Sequence, residues 1–240
     1  MKRRPIGLFL KGAGMGAADA VPGVSGGTIA FITGIYEELI NTIKQFGPSA
    51  FGAWRRGGWV GLSRHLNLEF LIPLLLGVAV SLVSVAHLAL WLMEAQPLLL
   101  EGFFFGLVAA SALVVGQAGE RWKIWYLLPL AIGLMLAKLL PGMMPLVLMI
   151  GNEALVVIVA GAIAISAMLL PGVSGSFLLL TMGLYGTIMG AIRSFDLGII
   201  MLFGVGCIIG LALFSRLLSW LLRRYHGATL QLLLGFIVGS

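Results

Sequence analysis

The chain has 240 residues, of which 60% are hydrophobic and only 10% charged, with a mean hydropathy of +1.09. A soluble domain carries about 25% charged residues, so this composition excludes a water-soluble enzyme and points to an integral membrane protein. The net charge of +6 is spread over short basic clusters between apolar runs. That argues against a nucleic-acid partner and marks the membrane side of each connection.

The N-terminus opens on Lys2-Arg3-Arg4 with no small-residue cleavage site after an apolar core, so it is expected to be retained. Gly12, Gly14 and Gly16, with Ala13, Ala17 and Ala18, form a small-residue run suited to close helix packing in lipid. Next comes Asp19, then Pro22-Gly23-Val24-Ser25-Gly26-Gly27-Thr28, a helix breaker set inside apolar sequence. Lys11 lies about 16 Å before Pro22 if helical, and Glu37 about 18 Å after Ser25. Half the hydrocarbon core is about 15 Å, so charges bracket the motif at one half-thickness on either arm. This spacing favours a re-entrant hairpin that dips to the midplane. Two tilted full spans, with the charges facing protein, remain the alternative.

Residues 47–67 read as the one sizeable polar connection, with Arg55, Arg56, Arg64 and His65, and with Trp54 and Trp59 placed for the interface. Four ordinary transmembrane helices are predicted at 68–94, 98–118, 124–140 and 196–222. The apolar stretch 146–195 carries Pro171-Gly172-Val173-Ser174-Gly175-Ser176, a second copy of the breaker. Residues 229–240 are too short to span, unlike their counterpart 98–118, so the last helix is expected to be cut short after Ser240. The single cysteine, Cys207, and the scattered His65, His87 and His226 suggest neither a disulfide nor a metal site. His87 is expected to be a satisfied core residue.

The doubling extends past the motif. At the same interval Gly34 aligns with Gly183, Tyr36 with Tyr185, Ile43 with Ile192, Lys44 with Arg193 and Phe46 with Phe195. Leu74 to Met93 pairs with Met201 to Trp220, and Phe105-Gly106-Leu107 with Leu234-Gly235-Phe236. The chain therefore reads as one all-α membrane domain, 1–240. Repeat one covers about 1–118, a linking helix 124–140, and repeat two about 146–240.

Positive charges place the N-terminus, the 47–67 connection, Arg121/Lys123 and Arg223-Arg224 on the cytoplasmic side. Ala95-Gln96-Pro97 and Pro141 to Pro145, with Lys138 nearby, fall outside. The linking helix then inverts repeat two relative to repeat one. The two Pro-Gly tips would approach the membrane centre from opposite sides, an arrangement suited to alternating access.

The motif chemistry is that of a helix start. Pro22 and Pro171 stop a preceding helix. Gly23, Gly26, Gly27, Gly172 and Gly175 allow close approach to a ligand. Ser25, Thr28, Ser174 and Ser176 can cap the next helix or contact an anion at its N-terminus. A turn and a cap without any ligand would use the same residues, but two copies in inverted units favour a phosphate or carboxylate site. Asp19 can bind a coupling proton or sodium ion, or pair with Lys11 or Arg216. Arg216 either snorkels to the interface or balances a bound anion. Glu37 and Glu38 suit the interface, and Glu101 and Glu153 the outer side.

At these residues the chain resembles the bacterial polyprenyl-phosphate translocases, PopT-type undecaprenyl-phosphate transporters. The resemblance rests on Ala18 to Ala30, the Gly-Ile-Tyr-Glu run after it, Leu170 to Phe177, and Met182 to Tyr185. It implies return of undecaprenyl phosphate from the outer to the cytoplasmic leaflet of the bacterial cytoplasmic membrane, for reuse in cell-wall polymer synthesis. It also implies motif roles for Asp19, Pro22, Gly23, Ser25, Gly26, Gly27 and Thr28, and for Pro171, Gly172, Ser174, Gly175 and Ser176. The partners expected are the lipid and the bilayer, without a cofactor; the sequence leaves the oligomeric state open.

Two other readings are weaker. The same helix-start physics could serve a transporter of a small soluble anion or amino acid. Gly23-Val24-Ser25-Gly26 also matches rhomboid-type intramembrane serine proteases, with His87 on a later helix. The second Gly-x-Ser-Gly, however, has Phe214 where a histidine would be needed, so no enzymatic activity is expected.

Overall fold

The computed structural model describes residues 5–19, 25–96 and 124–239, together with 98–99, 102–103, 105–106 and 109–110. Pro22, Gly23, most of the 98–118 run, Glu101 and the side chain of His87 lie outside the described residues. Everything regular in the described part is helical. In order the helices are α1 (Pro5–Asp19), α2 (Gly26–Ile32), α3 (Tyr36–Lys44), α4 (Pro48–His65) and α5 (Leu68–Ala95). After a 3₁₀ turn (Ile124–Tyr126) come α6 (Leu127–Met143), a 3₁₀ segment (Met144–Ile150), α7 (Glu153–Leu169), α8 (Gly175–Thr181), α9 (Tyr185–Ser194), α10 (Leu197–Arg224) and α11 (His226–Gly239).

Two continuous segments, Ile124–Met143 and Leu197–Arg224, are long and apolar enough to cross a bilayer core. Two bent pairs meet the same test: Pro48–His65 with Leu68–Leu82, and Gly175–Thr181 with Tyr185–Ser194. Large apolar side chains on α10, among them Leu197, Met201 and Ile208, point outward, as a lipid-facing surface requires.

Glycines set the helix packing. A Cβ on Gly12 would run into the carbonyl oxygen of Leu74, and one on Gly77 into that of Phe9, so α1 and α5 touch backbone to backbone. In the second half, Gly161 meets the carbonyl of Phe203 and Gly206 that of Ile158, joining α7 to α10 in the same way. Gly12 and Gly161, like Phe9 and Ile158, stand at the interval that separates Pro22 from Pro171. The third close pair is α6 with α11, where Gly133 meets Leu232 and Gly235 meets Leu130. Without a hydrophobic drive between helices in lipid, such close approach is a principal source of association. The glycine contacts between α1 and α5 thus recur between α7 and α10.

The same contacts correct one alignment. Gly206, not Gly204, is the counterpart of Gly77, because a Cβ on Gly204 meets nothing while one on Gly206 meets a backbone carbonyl. The match of Leu74 to Met93 with Met201 to Trp220 is therefore two residues out of register. In the packing register, His87 corresponds to Arg216 and not to Phe214. The Gly-Val pairs at 77–78 and 204–205 produced the wrong match.

The polar connection 47–67 is largely helical. Pro48 takes the first helical position, where its missing N–H costs nothing, and α4 follows with a kink at Gly58 (φ 55°). No residue of α4 is buried, and Trp59 is 77% exposed. The second arm of each motif is shorter than its apolar run suggests. α2 and α8 have seven residues each and end at Gly34 (φ 70°) and Gly183 (φ 74°), left-handed positions that favour glycine. After Gly183 the chain turns by 107° into α9. The halves interlock: α3 lies against α10, and one core cluster draws Leu8, Ile40 and Phe70 together with Leu218, Leu222 and Leu233.

Candidate functional site

The first motif folds back onto its own helix. Ser25 adopts an extended conformation (φ −118°, ψ 126°) and caps α2, its Oγ accepting from the Gly27 N–H at 3.2 Å. Asp19, at the end of α1, accepts the Gly26 N–H on Oδ1 at 2.7 Å. Gly26 is required there, because a Cβ would meet Asp19 Oδ2 and would lie 2.9 Å from the Met15 carbonyl oxygen. Lys11 serves the other end of the helix, donating to the Thr33 carbonyl at 2.6 Å. The short helix thus carries an anion at its positive end and a cation at its negative end.

The second motif repeats the plan with one omission. Ser174 (φ −98°, ψ 121°) caps α8, accepting from the Phe177 N–H at 3.4 Å, and its Oγ lies 3.0 Å from Ser176 Oγ. Gly175 packs on the Ala164 carbonyl, the counterpart of Gly26 on Met15. Met168 stands at the same interval from Ser174 as Asp19 from Ser25, and among the described residues no carboxylate closes the start of α8. Gly172 has φ +84° and is seated against Phe236 and Ile237 of α11, which leaves no room for a side chain.

The two motifs touch. Ser25 Oγ donates to the Leu170 carbonyl at 3.2 Å. The Gly172 N–H donates to Thr28 Oγ1 at 2.8 Å, and the Tyr36 hydroxyl donates to the Leu169 carbonyl at 2.6 Å. Ser25, Thr28 and Tyr36 are all buried. In a low-dielectric interior each of these groups would be costly unpaired, so the three bonds fix the α2–α3 segment onto the turn that precedes α8. Among the described residues Ser25 Oγ is occupied as a cap and a tie.

Several expected contributors sit elsewhere. The amides of the first turn of α2 are not free: Gly26 is taken by Asp19, Gly27 by Ser25 Oγ and Thr28 by the Ser25 carbonyl. Asp19 pairs with neither Lys11 nor Arg216, because the nearest donor is an amide of its own hairpin. Arg216 is exposed and donates to the Ala212 carbonyl at 2.6 Å, and Lys11 is engaged at the far end of α2. Glu37 meets His226 at 2.7 Å on an exposed edge, joining α3 to α11.

Two residues given no role from the sequence lie at the site. Tyr36 is one. The other is Lys138 of α6, which lines a cavity of about 340 Å³ beside Gly172 and Ser174. A lysine within an otherwise apolar helix was the available signal. Next to this cavity is an apolar one of about 530 Å³ between α6, α7 and α10, and Leu140, Val173 and Leu178 line both.

Over residues 15–240 the chain matches the family described as VCA0040-like, undecaprenyl phosphate translocase-like. It is 45% identical over 235 residues to a protein of Vibrio cholerae serotype O1 named polyprenyl-phosphate transporter, a match covering 98% of this chain and 76% of that protein. A Staphylococcus aureus protein of the same name is 31% identical over 248 residues, covering 97% of this chain and 83% of the relative. No solved structure matches the chain significantly. With most of its length matched and its doubled motif brought together inside a helical membrane fold, the chain belongs to the undecaprenyl phosphate translocase-like family.

Proposed function

We propose that this protein returns undecaprenyl phosphate from the outer to the cytoplasmic leaflet of the bacterial cytoplasmic membrane, for reuse in cell-wall polymer synthesis. The observation that carries this reading is the direct contact between the two motif turns, through Ser25, Thr28 and Tyr36 on one side and Leu169 to Gly172 on the other. In this reading the phosphate is held where they meet, by Ser174, Gly175 and Ser176 and by Ser25, Gly26, Gly27 and Thr28, the last four only once the bonds that now occupy them have opened. Pro22, Gly23, Pro171 and Gly172 shape the two turns. Family membership and the names of the relatives supply the lipid class.

In this scheme the N-terminus is cytoplasmic and the repeats, about 1–118 and 146–240, run in opposite senses on either side of a linking helix. Rocking of one repeat against the other exposes the shared site first to one leaflet and then to the other. The motif turns are re-entrant, the prenyl chain stays in lipid, and only the head group crosses. Asp19 is the place where a proton or sodium ion would couple to transport, since neutralising its carboxylate weakens its hold on the Gly26 amide. The apolar cavity favours a lipid over a soluble anion: Leu213 and Leu217 on its wall are 66% and 49% exposed, so it reaches an apolar part of the surface.

Reconstituted protein should move undecaprenyl phosphate between leaflets of proteoliposomes, and should move neither undecaprenol nor inorganic phosphate. Leaflet-resolved labelling of the head group reads this directly. Uptake of inorganic phosphate without movement of the lipid would replace this reading with that of a soluble-anion transporter.

A further inference from the structure

Resting on the function proposed above, we propose that Lys138 is the cation that receives the phosphate monoester, and that the apolar cavity beside it takes the first part of the isoprenyl chain. Lys138 lies within α6 on a helix whose other side chains are apolar. Among the described residues its ammonium has neither a hydrogen bond nor an ion pair. Lys138 is exposed and lies five residues before the end of α6; a charge kept within an apolar spanning helix usually faces a cavity and serves an ion or substrate. Lys138 faces one: it shares a cavity of about 340 Å³ with Gly172 and with Ser174, whose hydroxyl is held in place by Ser176 and by the Phe177 amide. The other cations considered are committed elsewhere, Lys11 to the Thr33 carbonyl and Arg216 to the Ala212 carbonyl.

The neighbouring cavity supplies the rest of the ligand's chemistry. It measures about 530 Å³, and Ala162, Ile163, Leu170 and Leu213 contribute to its wall. The hydroxyl of Ser166, its one polar side chain, is already given to the Ala162 carbonyl at 2.7 Å. Shared walls at Leu140, Val173 and Leu178 place the cationic end and the apolar end side by side. One end takes a doubly ionisable head group and the other a branched hydrocarbon, which together describe an isoprenyl monophosphate. A cavity of this size holds only the chain next to the phosphate. The remainder leaves past Ile209, Leu213 and Leu217 into lipid.

The test is equilibrium binding to the full chain in lipid nanodiscs, using a short-chain isoprenyl monophosphate, the corresponding isoprenol and inorganic phosphate. Lys138→Gln should weaken the monophosphate about 10-fold or more, as expected for losing a hydrogen bond between charged groups. It should leave the isoprenol unchanged, and Lys138→Arg should recover most of the loss. Ile163→Trp, or Leu213→Trp at the rim, should weaken monophosphate and isoprenol alike. Lys138→Gln binding the monophosphate like the native chain overturns the cation assignment while leaving the transport reading in place. Unchanged isoprenol binding by folded Ile163→Trp and Leu213→Trp overturns the tail assignment. A native chain that binds neither the monophosphate nor the isoprenol overturns this proposal together with the transport reading.

Discussion

Gly206→Leu and Gly77→Leu should each prevent assembly of a stable protein, whereas Gly204→Leu should be tolerated. At Gly206 the obstacle to a side chain is the carbonyl oxygen of Ile158, and at Gly77 that of Phe9. Both belong to helix backbones, so the clash cannot be relieved by turning a side chain. Overpacking in a core costs about 1–3 kcal/mol when side chains can adjust. Separating two helices along a glycine seam should exceed that, against a total stability of about 5–15 kcal/mol. Gly204 has open space around it, so it serves as the control and also tests the register that pairs Gly77 with Gly206. Thermal unfolding and monodispersity in detergent read the outcome. A Gly206→Leu protein that melts with the native chain would remove the packing argument.

Asp19→Ala and Asp19→Asn should each reduce transport by about 10- to 100-fold in protein that still folds. The alanine variant leaves the Gly26 amide without the oxygen that it meets at 2.7 Å. A hydrogen bond to a charged group contributes about 1.5–3 kcal/mol, enough to loosen the first turn of α2 and with it the Ser25 and Thr28 contacts to the opposite motif. Asparagine keeps an acceptor oxygen in the same place but cannot titrate. Initial uptake rates, normalised to folded protein, separate two roles. Partial activity in Asp19→Asn assigns the carboxylate to positioning, and full loss in both variants assigns it to ion coupling.

Much of the arrangement could be read from the letters because duplication constrains them twice. Two Pro-Gly breaks in apolar sequence announced helix starts at depth, and Ser25 and Ser174 do cap α2 and α8. Gly12 and Gly16 pack closely, as a small-residue run in lipid implies. What escaped was whatever depends on which side of a helix faces which neighbour. Asp19 was weighed against distant cations, yet its partner is an amide seven residues on, across a turn whose path hydropathy does not specify. Depth alone makes Lys11 a candidate partner for Asp19 and Arg216 a candidate for a bound anion, and depth does not fix azimuth. For the same reason the letters give Lys138 no role beyond its place near the outer turn. The helix in the 47–67 connection is hidden because its glycines and arginines lower both hydropathy and helix propensity, which the Pro48 start and the kink at Gly58 accommodate.

The claim on which the mechanism depends is that both motif turns grip one phosphate. Leaflet-resolved uptake of undecaprenyl phosphate by the double variant Ser25→Ala/Ser174→Ala, compared with the native chain at equal amounts of folded protein, tests it most directly. The account predicts a fall of about 10-fold or more, with each single variant intermediate. Native rates in the folded double variant would contradict it.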